Sequence, residues 1–123
     1  MIIITFAGVA VAACGSDTSA GQTLNGKKFT VKTGTRSVTV DMVDNNFQPE
    51  YVTVSAGTRV TFLNRGHNRH NVFSVGDGFT SSGFLGRGDS WKVTFKDAGD
   101  YPLYCSLHGT PTSGMVGGIR VIK

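Results

Sequence analysis

At 123 residues the chain is sized for one domain, and folding should bury roughly two-thirds of the unfolded surface, enough for a core without disulfides or an oligomeric interface. Charged residues make up only 16%, the net charge is +4 and glycine reaches 17 residues, which excludes a chain built of long amphipathic helices and points to a turn-rich all-β monomer. The positive charges are scattered and no stacking motif lies among them, which argues against a nucleic-acid partner.

Met1 to Ala13 is almost wholly apolar and ends in small residues. It is too short to span a bilayer and has the character of the hydrophobic region of an export signal, although no Lys or Arg precedes it. Val11-Ala12-Ala13-Cys14 resembles a bacterial lipobox, so residues 1–13 are expected to be a lipoprotein signal and Cys14 to carry the lipid that ties the protein to a membrane. Residues 14–26, rich in Ser, Thr, Gly and Gln, then read as a flexible tether, leaving 27–123 as the folded domain.

Alternation of apolar and polar residues predicts strands over residues 29–32, 37–43, 51–54, 58–63, 70–75, 90–95, 101–105 and 116–122. Gly/Asp/Asn-rich turns separate them at 56–57, 76–78, 86–89 and 97–100. Many short strands at this spacing predict a sandwich or barrel. Residues 76–89 are the least regular stretch and accommodate a short helical turn, with Phe79, Phe84 and Leu85 packing under or beside the loops at one end.

The chemistry concentrates in two loops. Tyr104-Cys105-Ser106-Leu107-His108 and, after a Gly/Thr/Pro/Ser stretch, Met115 place a thiolate, an imidazole and a thioether close together. A soft thiolate and two imidazoles in a plane, with a weak thioether on the axis, suit copper that alternates between Cu(I) and Cu(II). The second imidazole comes from residues 64–72, where His67 and His70 compete. His70 is the better placed, because it precedes Asn71 and an apolar strand that fixes its backbone, whereas His67 lies in mid-loop. The metal ligands are therefore expected to be His70, Cys105, His108 and Met115, with His108 at the tip of a turn where the chain leaves its strand. Asn71 is expected to bond across to the Cys105 loop and stiffen it.

These residues stand in a familiar order: Asp44-Asn45-Asn46-Phe47-Gln48-Pro49, then residues 54–62, then His70-Asn71-Val72, then Gly99-Asp100-Tyr101, and finally Cys105, His108 and Met115-Val116-Gly117. Over Val38 to Ile122 the chain resembles the plastocyanin-like cupredoxins, small blue copper proteins that carry single electrons. The resemblance implies a Greek-key β-sandwich and one type 1 copper ion. One departure stands out: the stretch from His108 to Met115 is two residues longer than plastocyanin's.

Read this way, the protein is a mononuclear copper electron carrier working between redox donor and acceptor proteins outside the cytoplasm, in the periplasm or at the cell surface. It is not expected to be an enzyme, since Cys105 is flanked by Tyr104 and Ser106 rather than histidines, and three histidines in all leave none for a further copper cluster. The alternative is a copper chaperone or store with the same fold. Arg65, Arg69 and Arg87 fall in loops at the expected copper end and suit an acidic partner surface.

Overall fold

In a computed structural model, which describes residues 24–123, these residues form nine strands and no helix. The leader, Cys14 and most of the tether lie outside the described residues. Strands β1 (Thr30–Val31), β4 (Tyr51–Ser55), β9 (Gly114–Ile122), β8 (Gly99–Gly109) and β6 (Phe73–Ser74) make one sheet in that order. The order β3 (Asn46–Gln48), β2 (Ser37–Val43), β5 (Thr58–Asn64) and β7 (Ser90–Phe95) makes the other. The chain passes from sheet to sheet between β1 and β2 and at every connection from β3 to β8, which closes the all-β Greek-key sandwich.

The period-two pattern does what it should. In β2 the inward residues Val38, Val40 and Met42 are buried while their neighbours are exposed or half-buried, and in β5 Thr58, Val60, Phe62 and Asn64 do the same. From the opposite sheet Val52, Val54, Leu103, Ile119 and Val121 meet them. Phe62 is fully buried at the centre, with the Phe47 ring edge-on at 6.3 Å and Trp91 tilted at 6.1 Å. Strand β4 is buried on both faces because Tyr51 also packs against Phe29, outside the sandwich. Leu24 is buried too, its methyls close to Gly118, so packing begins N-terminal of Lys27.

The structure departs from the sequence expectation in three places. Residues 70–75 do not run as one strand: His70 makes a single bridge to Leu85, and only Phe73–Ser74 pair with β8. Between them the Ser82 hydroxyl and backbone take up the Val72 backbone, with bonds of 2.8 and 2.9 Å, so side-chain chemistry replaces a sheet ladder. Residues 76–89 contain no helical turn. A short strand, β3, lies in the Asn46–Gln48 segment and pairs antiparallel with β2; three residues are too few for alternation to reveal.

Because Phe62 sits where both sheets meet, Phe62→Ala should lower stability by about 3–5 kcal/mol. Urea unfolding at fixed pH measures it, and a loss below about 1 kcal/mol would show that the core is not centred on this ring.

Candidate metal centre

Strand β8 carries two of the expected ligands, and its local irregularity lets them meet. Leu103 and Cys105 point inward along the regular strand, and Cys105 is fully buried. Residues three apart on a regular strand face opposite sides. Here the pairing with β9 runs Tyr104↔Val116 and then Gly109↔Gly114, so four residues of β8 face Met115 alone. This bulge-like break in register, rather than an exit from the strand, re-aims His108. Its Nδ1 comes to 3.6 Å from Cys105 Sγ, and its ring remains half-exposed. Met115 shares the inward side of β9 with Gly117, Ile119 and Val121 and is 1% exposed.

The residues between Gly109 and Gly114 close on themselves. Thr110 N donates to Ser113 O at 2.8 Å, and the Thr110 hydroxyl accepts from Thr112 N and Ser113 N. Gly114 takes a φ of +78°, where a Cβ would also strike the His108 carbonyl, so the return into β9 requires glycine here.

His70 arrives on the connection between β5 and β6, outside both sheets. Its backbone exchanges two hydrogen bonds with Leu85, of 3.1 and 2.8 Å, and the buried Asn64 side chain donates to Asn68 O and Leu85 O while accepting from Gly66 N. Thus clamped, the fully buried ring turns Nδ1 to 3.8 Å from Cys105 Sγ and Nε2 to 3.1 Å from Asp44 Oδ1. The two imidazole centroids stand 5.0 Å apart. Asn71 behaves as expected: its Nδ2 donates to Ser106 Oγ and its Oδ1 accepts from Ser106 N, both at 2.8 Å, tying the two ligand loops together.

Burial holds the His70 imidazole below its ordinary pKa, although the Asp44 hydrogen bond pulls the other way, so a neutral ring is available to a metal. Asp44 is lowered to about 2, chiefly by the backbone N–H groups of Asn68 and His67, and stays a carboxylate. Its part in the site is absent from the sequence reading, since a contact across 26 residues has no local signature. His67 lies outside the cluster, in the exposed loop, where Arg87 Nη1 donates to its Nδ1 at 2.9 Å.

His70, Cys105 and His108 bring their donor atoms within 4.8 Å of one another. A trigonal ion about 2.0 Å from nitrogen and about 2.3 Å from sulfur would separate N from S by about 3.7 Å. The observed spacings of 3.8 and 3.6 Å straddle that value, so these residues fit a small metal ion without rearrangement. A thiolate with two imidazoles, beside a buried thioether, is a donor set for copper.

Residues 3–116 match the cupredoxin-like domain family. Plastocyanin A'/A'' of Nicotiana tabacum is 32% identical over 87 residues, covering 61% of this chain and 86% of that protein. Among solved structures, the purple cupredoxin from Nitrosopumilus maritimus is 26% identical with a TM-score of 0.60, covering 69% of this chain and 99% of that one. The copper-containing nitrite reductase from Thermus scotoductus is 32% identical with a TM-score of 0.63, and there 71% of this chain matches only 22% of the enzyme. The chain belongs to the cupredoxin-like family, and copper is its cofactor.

If His70 is the ligand and His67 a loop residue, His70→Ala should abolish stoichiometric high-affinity copper binding while His67→Ala leaves it intact. Titration with a competing chelator separates the two, and equal losses would refute the assignment.

Proposed function

We propose that the protein is a mononuclear type 1 copper electron carrier working outside the cytoplasm, with His70, Cys105 and His108 in the metal plane and Met115 on its axis. The observation that carries this reading is the pair of Sγ–Nδ1 spacings, 3.8 and 3.6 Å, about a buried cysteine. Bound there, copper supplies a one-electron couple. The chain does the rest. Cys105 offers a thiolate once metal displaces its proton, and the Asn64, Asn71 and Leu85 contacts hold both ligand loops, so little has to move between oxidation states.

Electron entry and exit are best assigned to His108, whose ring is half-exposed whereas His70 is sealed. Leu107 next to it is 43% exposed and offers an apolar landing surface for a redox protein. Arg65, Arg69 and Arg87 at this end support acidic partners, although each already has a contact: Arg65 with Asp41, Arg69 over the Phe84 ring and Arg87 with His67. Attraction of that kind should weaken with salt. The leader and Cys14 support export and a lipid anchor, and these 123 residues hold only three histidines, which favours a carrier over an enzyme with a second copper centre.

Copper-loaded protein should show an intense visible thiolate-to-Cu(II) band and reduce reversibly. Cys105→Ser should remove that band, because a hydroxyl cannot replace the covalent thiolate bond. A site that holds only Cu(I) would instead indicate a chaperone or store.

The axial position has its own test. Met115→Gln sets a harder oxygen donor beside the metal, favours Cu(II) and should lower the reduction potential, whereas Met115→Leu removes a weak donor and should raise it. Voltammetry at fixed pH and salt reads both, and two unchanged potentials would make Met115 a packing residue.

A further inference from the structure

Asp44 lies just beyond the end of β2, and its two carboxylate oxygens meet three donors from the His70 loop. Oδ2 accepts from His67 N at 2.9 Å, and Oδ1 accepts from Asn68 N at 3.0 Å and from His70 Nε2 at 3.1 Å. The fit is close: a Cβ on Gly66 would run into this carboxylate. His70 is fully buried, so Asp44 takes the place that water would fill at an exposed ring.

The geometry points to Asp44 as a positioning residue that fixes the His70 tautomer, leaving the Nδ1 lone pair facing Cys105, and sets a negative charge behind the ring that favours Cu(II) over Cu(I). A carboxylate behind a ligand imidazole both orients it and makes it a stronger donor. Stronger donation stabilises the more highly charged ion, so the carboxylate should lower the reduction potential. Asp41 provides the comparison. It is a carboxylate three residues earlier, on β2, partly exposed, but it pairs with Arg65 at 3.0 Å rather than with a ligand. A bulk charge effect would therefore follow both residues, whereas a positioning role follows Asp44 alone.

The redox half of this inference rests on the copper reading above; the positioning half concerns the protein without metal. In metal-free protein, nitrogen-edited NMR should find one histidine ring N–H protected from solvent exchange. That protection should be lost in Asp44→Ala and in His70→Ala, and kept in Asp41→Asn. In copper-loaded protein Asp44→Asn, which keeps the shape and an acceptor oxygen but removes the charge, should raise the reduction potential. Asp44→Ala should weaken copper retention by about 10–100-fold, and Asp41→Asn should leave both properties unchanged. A ring proton equally protected in Asp44→Ala, or equal potential shifts in Asp44→Asn and Asp41→Asn, would overturn the proposal. A protected ring proton in a protein that forms no coloured Cu(II) state would leave Asp44 as the positioning residue and remove the electron-carrier reading instead.

Discussion

A β-strand sends successive side chains to opposite faces, so Cys105 and His108, three apart on β8, would point away from each other if the ladder with β9 ran on unbroken. The register break between Tyr104 and Gly109 resolves this conflict. It leaves Cys105 on the inward side with Leu103 and lets His108 swing back over the sulfur. Met115, alone opposite the bulge, continues the inward row of β9. The thiolate thus stands on the core, one imidazole reaches it from the rim, and Met115 lies buried on the paired strand. The sandwich supplies rigid strand ends, and the bulge lets neighbouring ligands share one point.

The fourth side chain, His70, comes from the connection that crosses between the sheets from β5 to β6, so the site depends on loops staying in place. Here hydrogen bonds do what packing cannot. Asn64, Asp44 and Asn71 each make two or more bonds, to Gly66, Asn68, Leu85, His67, His70 and Ser106, and so join the β2–β3 turn, the His70 loop, the Leu85 loop and β8 into one network. Among the described residues no buried side-chain N or O is left without a partner. Such a network resists rearrangement because moving one member strands the others in a low-dielectric interior. A site that must accept two oxidation states with little movement benefits from this.

Much of this was legible in the sequence because it rests on local rules. Alternation marked 37–43, 58–63 and 90–95, and the donor types of Cys105, His108 and Met115 within one stretch named the chemistry. His70 was separable from His67 because an apolar strand-like segment follows it. The rest depends on contacts between distant residues. Asp44 meets His70 across 26 positions, Ser82 replaces the strand partner of Val72, and the bulge in β8 is set by register against β9. None of these has a periodicity or a motif, so residues 70–75 read as one strand and the Cys105–His108 stretch as an exit from one.

The longer stretch between His108 and Met115 bears on how far the family resemblance can be carried, and the fold handles it by separation. Gly109 and Gly114 pair across its base, so their backbones are held at a fixed spacing whatever lies between. The intervening residues fold outward into a turn that Thr110 and Ser113 stabilise internally, and all four side chains are exposed. Added residues therefore lengthen the exposed tip without moving the base. Since Met115 follows Gly114 directly and its side is dictated by the β9 pleat, its distance from Cys105 is decoupled from loop length. The loop can thus vary as a surface feature beside His108, reshaping what a partner meets there while the metal end beneath it stays the same.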